Sequence, residues 1–312
     1  MNALTESIQR EVNQVILGKA QVVQKVLLAI LAQGHVLLED VPGVGKTTLA
    51  SAFAKALGLD NRRIQFTSDT MPADIVGFSV YAEGNLRYQP GAIMTNLLLA
   101  DEINRTSAKT QSALLEAMEE GGVTVDGVTH LLPEPFTVLA TQNPLGAAGT
   151  QPLPNAQLDR FLLRLSMGYP DEDSQVEMLK ERRLSNPLDQ VQPVVNRQAL
   201  LELIRTTRQV YVADSVYRYI SRLAEATRSH PMVLLGISPR GALALCRAAK
   251  AGAFLAGRDY VIPQDAAALL PEAWGHRLVL GAKARLREYG PETVLQEVLA
   301  AVPSPERGNF RP

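Results

Sequence analysis

An α/β fold, in which helices cover a five-stranded parallel sheet and a small all-α domain follows, is the architecture this sequence predicts. Three observations point to it. Short apolar runs at 35–39, 62–66, 97–100, 136–141 and 163–166 are each separated from the next by helical pattern or a long loop. Such alternation is the pattern of parallel strands joined by crossovers. Beyond residue 196 the strand-like runs stop, and four helical patterns follow at 198–208, 215–228, 239–256 and 264–277. The chain, at 312 residues, is long enough for two cores.

The first run, 35–39, leads into Asp40-Val-Pro-Gly-Val-Gly-Lys-Thr-Thr48 and then a helical stretch, 49–57, closed by Gly58. The stretch 122–131 alternates as a β-hairpin, with Asp126-Gly127 as its tight turn. Residues 171–184 read as a helix that completes an αβα core over 1–184. Residues 185–196 are interrupted by prolines and read as a linker. The helical domain spans 197–302. Asp214 and Ser238 stand where N-caps belong, and Pro239 is a first-turn proline. No strand is expected in this domain, and 303–312 reads as a frayed tail.

Composition narrows the function classes. With 46% hydrophobic and 20% charged residues and a net charge of −1, the chain has no global pull towards nucleic acid or anionic membrane. One cysteine, Cys246, excludes an internal disulfide and suits a reducing compartment, so a cytoplasmic enzyme is expected. No run is long and apolar enough to span a bilayer.

The chemistry starts after the first strand. Gly43 and Gly45 let the backbone approach phosphates at a helix N-terminus, while Pro42, Val44 and Thr48 complete the loop. Lys46 supplies a point charge for the β and γ oxygens, and Thr47 a hydroxyl for Mg²⁺. Asp40 stands where the usual pattern has its first glycine. About fifty residues on, the apolar strand at 97–100 delivers Asp101-Glu102 at its C-terminal end. Ligands of a parallel sheet bind at that edge. Asp101 is placed to hold Mg²⁺, and Glu102 to polarise an attacking water. A third buried strand ends in Gln142-Asn143-Pro144, where the Asn143 amide either meets a γ-phosphate or the attacking water, or caps the turn.

Taken together, Glu39-Asp-Val-Pro-Gly-Val-Gly-Lys-Thr, Leu-Ala-Asp-Glu-Ile-Asn-Arg (99–105), Ala-Leu-Leu-Glu-Ala-Met-Glu-Glu (113–120), Ala-Thr-Gln-Asn-Pro (140–144), Gln-Leu-Asp-Arg-Phe (157–161) and Gly-Ile-Ser-Pro-Arg-Gly (236–241) resemble the MoxR family of AAA+ ATPases. An acidic residue at the first Walker glycine is usual in that family. The resemblance implies a P-loop core with a helical lid, and ATP and Mg²⁺ as cofactors. It makes Asn143 the sensor-1 residue. Arg240 becomes sensor 2, touching the γ-phosphate from the lid, and Arg160 the arginine finger offered to a neighbouring subunit, with Arg164 and Arg105 as rivals. It also implies that 16–18, and Gly18 in particular, help line the adenine pocket. Its partners would be further copies of itself in a hexameric ring, and a protein carrying a von Willebrand factor A domain.

Three uses of ATP follow: a chaperone-like ring that remodels or matures a partner protein, a nucleic-acid motor, or a nucleotide-controlled scaffold. Metal-chelatase motor subunits are close alternatives to the first. No Lys or Arg occurs from Thr110 to Asp159, a stretch that contains the whole hairpin. Contact with phosphate backbones needs cations, so translocation on nucleic acid is not expected. The insert at 79–92 holds only Arg87 and lacks the Gly-Ala-Phe-Thr-Gly-Ala loop of transcription activators. The four histidines have no ligand-like spacing, and Cys246 reads as core packing.

Overall fold

In the computed structural model, residues 3–41, 43–82, 84–143, 151–181, 186–305 and 310 are described. The core runs α1 (Ala3–Asn13), α2 (Ala20–Leu31), β1 (Val36–Glu39), α3 (Lys46–Ala56), β2 (Asn61–Gln65), α4 (Pro72–Val76), β3 (Gly77–Ala82), β4 (Asn85–Pro90), β5 (Leu97–Asp101), α5 (Ala108–Glu120), β6 (Gly122–Val125), β7 (Val128–Leu131), β8 (Thr137–Gln142), α6 (Asn155–Leu158), β9 (Leu163–Leu165) and α7 (Glu172–Glu181). Five of these strands form one parallel sheet in the order β2-β5-β8-β1-β9. Every expected core strand is present, with its limits shifted by one residue at most.

The apolar runs are continuous because both sheet faces are covered. Val36, Leu38, Leu97 and Leu99 join the cluster under α1–α3, while Leu37, Leu98, Ala100 and Val138 join the one under α5. The first cluster continues without a break into the helical domain, through Leu245, Ala249 and Trp274. His35 pins the start of β1. Its Nδ1 accepts from the Val138 N–H at 3.0 Å, so its Nε2 donates to the Met118 carbonyl at 3.2 Å. Burial keeps this imidazole neutral and lowers its pKa to about 4.

The hairpin β6–β7 turns at Asp126 and Gly127, both at positive φ (49° and 78°), as an Asp-Gly turn of this kind requires. The insert at 79–92 holds a second hairpin, β3–β4, that the sequence pattern did not disclose. Tyr88 and His130 stack at 3.8 Å and join the two hairpins.

The helical domain comprises α8 (Arg197–Gln209), α9 (Asp214–Ser229), β10 (Val233–Leu235), α10 (Pro239–Leu255), α11 (Pro263–Ala267), α12 (Leu270–Trp274), β11 (Val279–Leu280), α13 (Ala282–Leu286) and α14 (Pro291–Ala301). Three expectations need correction. A short antiparallel ribbon, β10–β11, exists where no strand was expected. The pattern at 264–277 is two helices, because Pro271 lies in the first turn of the second and cannot continue the first. Ser238 caps α10 through the Gly241 N–H at 3.0 Å, with Pro239 in the first turn as expected. Asp214 is already helical, and Ala213 holds the cap position instead. Of the expected tail, 306–309 and 311–312 lie outside the described residues; Phe310 packs half-buried on the core.

Candidate active site

The C-terminal ends of β1, β5 and β8 open onto a cleft of about 610 Å³. Its floor is the loop after β1. Gly43 and Gly45 sit at φ 87° and 94°, and a Cβ on either would meet nothing within 4 Å. The glycines therefore serve the left-handed backbone and not close packing. Gly45 occupies the N-cap of α3 and no side chain caps that end, which leaves backbone N–H groups free for an anion. Val44, Lys46, Thr47 and Thr48 line the cleft beside them. The Lys46 ammonium donates to the Asp40 carbonyl at 3.0 Å, folding back over its own loop. Pro42 lies outside the described residues.

Asp40 is not turned towards the cleft. Its carboxylate is 6% exposed and accepts from the Ser166 hydroxyl (2.9 Å) and from the Met167 and Gly168 N–H groups, the latter at 3.0 Å. The residue at the missing glycine thus ties the loop to the segment leaving β9.

Asp101 and Glu102 meet the end of β8 through Thr141, which is fully buried. Its hydroxyl donates to Asp101 at 2.6 Å and accepts from the Glu102 N–H at 2.9 Å. Glu102 itself is left-handed, at φ 57°, and that turn directs its side chain into the cleft. The second Asp101 oxygen holds Arg63 at 2.7 Å, and Glu102 holds Arg105 at 2.8 Å. Arg63 is thus a cationic stand-in on the acid expected to hold Mg²⁺. The Asp101 carboxylate and the Thr47 hydroxyl, both at this cleft, offer oxygen donors of the kind a hard divalent ion takes. Asn143 also lines the cleft, its carbonyl accepting from Asn104 Nδ2 at 3.3 Å.

The far wall was not legible in the sequence. Tyr169, Pro170, Gln175, Met178 and Leu179 line it, with Tyr169 and Leu179 about 70% exposed (73% and 69%). The Lys19 ammonium holds the Tyr169 carbonyl at 2.7 Å. Gly18 does not line the cleft but stands behind this wall. A Cβ there would come within 2.3 Å of Ser174 Oγ, so glycine allows the chain to abut α7.

Neither Arg160 nor Arg240 lines the cleft of its own chain. Arg160 precedes β9, and its side chain meets Glu119, at the end of α5, at 3.1 Å. Arg240 meets the other oxygen of the same carboxylate. Glu119 follows Met118, whose carbonyl His35 holds at the start of β1. These groups thus lie beside the N-terminal ends of β1 and β9, whereas the phosphate loop follows the C-terminal end of β1. Arg164 is held by Glu39 within the chain at 3.2 Å.

Comparison with known proteins agrees with this geometry. The family described as the ATPase family associated with various cellular activities (AAA) matches residues 35–163, and the AAA lid domain matches 225–298. Chaperone MoxR1 of Mycobacterium tuberculosis is 41% identical over 307 residues, covering 95% of this chain and 81% of its own. The chain belongs to the MoxR family of AAA+ ATPases. A relative from Bacillus subtilis, YeaC, is 49% identical over 94% of this chain and 92% of its own length. A crystal structure of a candidate ATPase from Cytophaga hutchinsonii superposes with a TM-score of 0.91 at 37% identity, covering 97% of this chain and 95% of that one. This MoxR-family protein is accordingly an enzyme that hydrolyses ATP. Among its described residues no helix is long and apolar enough to cross a membrane.

Proposed function

We propose that the chain works as a chaperone-like ring, MgATP-dependent and hexameric, in which each nucleotide is completed by two arginines of the next subunit. Lys46 and the N–H groups at the start of α3 hold the phosphates, with Thr47 and Asp101 as the protein's oxygen donors to Mg²⁺. Glu102 takes a proton from the attacking water as it adds to the γ-phosphorus, the bond from that phosphorus to the β–γ bridging oxygen breaks to release ADP, and Asn143 orients the water. The exposed Tyr169 and Leu179, with the half-buried Met178, give the base an apolar wall. The loop at 16–18 supports this wall from behind.

The observation that carries the reading is the separation of the arginines from the cleft. Arg160 and Arg240 share Glu119 at one edge of the sheet, while Lys46 and Glu102 stand at the other. Arg240 thus acts as sensor 2 towards the neighbour's phosphate and not its own. For the remodelled partner, the hairpin tips favour protein over nucleic acid. Tyr81, Leu86 and Val128, beside the two hairpin turns, are exposed apolar groups, and β6–β7 carries no Lys or Arg. A von Willebrand factor A domain protein is the expected companion.

The test mixes two inactive variants. Arg160→Ala binds ATP but lacks the finger, and Lys46→Ala cannot load nucleotide yet keeps its own Arg160. A finger contributes roughly 10³–10⁵ in rate, so each alone should be nearly silent. Mixed rings should recover phosphate release above the sum of the two. No recovery, with subunit exchange verified by a labelled chain, would remove the shared-site reading.

A further inference from the structure

We propose that Glu119 is a positioning residue that holds Arg160 and Arg240 as one two-pronged unit aimed at the neighbouring subunit's triphosphate. This rests on the shared-site reading above and adds to it a residue with no place in the cleft.

The unit is built in two layers. In front, the two Glu119 oxygens are divided between the arginines, one each. Behind, a second carboxylate bolts their backbones together. Asp159, immediately before Arg160, accepts from Arg277 Nε at 2.6 Å on one oxygen and from Ser238 Oγ at 2.9 Å on the other. Ser238 is the N-cap of α10, and Arg240 is the second residue of that helix. The buried Arg277 also donates to the carbonyls of Asp159 (3.0 Å), Phe161 (2.6 Å) and Leu162 (3.3 Å), fixing the turn that carries Arg160. Segments far apart in the chain, those following α6 and α12 and the first turn of α10, thereby hold two guanidiniums together.

Charge explains why the acid is needed. Arg240 stands close enough to Arg247 and Arg277 to lower the pKa of both, on top of the effect of burial. Without Glu119, the two prongs would repel each other and those neighbours, and each long side chain would sample many rotamers. With it, both prongs are ordered before the neighbour's phosphates arrive. Glu119 does not exhaust their donors, because it meets one terminal nitrogen of each guanidinium and each keeps further N–H groups. One carboxylate between two arginines leaves a net positive surface, which suits a polyanion.

The test is Glu119→Gln in the full-length chain, with Glu119→Asp beside it. Gln keeps the shape and loses the charge; Asp keeps the charge and shortens the reach. Because misplacing a catalytic group by about 1 Å can cost about 10²-fold, kcat should fall roughly 10–100-fold for Gln and less for Asp. KM for ATP should stay near wild type, because the cleft is intact. The decisive readout is complementation. Glu119→Gln can load ATP and receive a sound finger, so mixing it with Lys46→Ala should restore activity. Mixing it with Arg160→Ala should not, because both then lack a working finger. Failure of Arg160→Ala with Lys46→Ala would overturn the shared site itself. If that pair recovers but Glu119→Gln fails to complement Lys46→Ala, or does complement Arg160→Ala, the role given to Glu119 falls. Faster turnover of Glu119→Gln would also overturn it, marking the contact as an inhibitory clamp.

Discussion

Replacing Asp40 by glycine restores the usual phosphate-loop pattern, and the structure predicts that the restoration does harm. Consensus substitutions often stabilise proteins, so pattern alone argues for a neutral or favourable change. Here the carboxylate accepts from Ser166, Met167 and Gly168, and it is 6% exposed. Asp40→Gly leaves two backbone N–H groups without their acceptor, at about 1–3 kcal/mol each. Extra freedom of the unfolded glycine adds about 0.5–1 kcal/mol. Water entering the space left by the side chain would bring the total to the lower end, about 3 kcal/mol. At about 2–4 °C per kcal/mol for a domain of this size, Tm should drop by about 6–12 °C. The loop also loses its tie to the segment that bears Tyr169, so ATP affinity should weaken in parallel. Asp40→Asn separates size from chemistry, because it fills the space but sets an NH₂ against an N–H donor. The assay is thermal melting with and without ATP, paired with titration of a fluorescent ATP analogue. A Tm and an affinity both unchanged in Asp40→Gly would refute the reasoning.

Thr141→Val keeps the side-chain volume but strips the hydroxyl shared by Asp101 and Glu102. It should cost about 2–4 kcal/mol in urea unfolding and slow phosphate release by roughly 10²-fold as Glu102 loses its anchor; a wild-type kcat would contradict this. Glu102→Gln should bind MgATP normally and lose on the order of 10²–10⁴ in turnover, and near-normal phosphate release would mean that another group activates the water. The pH dependence is set by the buried His35, lowered to about 4, and by His276, which burial and the adjacent Arg277 lower well below the usual value. The unfolded chain takes up protons on both from about pH 6.5 downward while the folded chain does not, so stability should fall as pH drops from about 6.5 towards 4. His35→Gln should flatten that slope in denaturant melts, and an unaltered slope would remove His35 from the account.

Much of the core was legible because its physics is local. A strand buried on both faces must be apolar throughout, as Leu97-Leu98-Leu99-Ala100 is, and a phosphate loop needs its glycines at fixed spacing. The Asp126-Gly127 turn was legible for the same reason. The rest depends on partners distant in sequence. Asp40 binds Ser166 across 126 residues, and no spacing rule foretells that. Tyr169 and Leu179 become a wall only because that tie and Lys19 bring their segment over the loop. Exposed, one aromatic just before an acid-led helix and one aliphatic in its last turn, they did carry a weak signal. Glu119 stood within the quoted 113–120 motif, yet its pairing with Arg240 spans 121 residues. The ribbon β10–β11 has strands of three and two residues, too short for any period to register.

Parallel strands have a direction, and in this chain the direction sorts the machinery. On the shared-site reading, what loads and splits nucleotide gathers where β1, β5 and β8 end, and what assists a neighbour gathers where β1 and β9 begin. Two such molecules related by a simple two-fold would press like edges together and complete no site. If the site is shared, productive contact is head to tail, each subunit lending to one side and borrowing from the other. On the shared-site reading, an open row of subunits always leaves one borrower at its end unserved. Only a closed circuit leaves none, so the topology of a single sheet already favours a ring over a dimer.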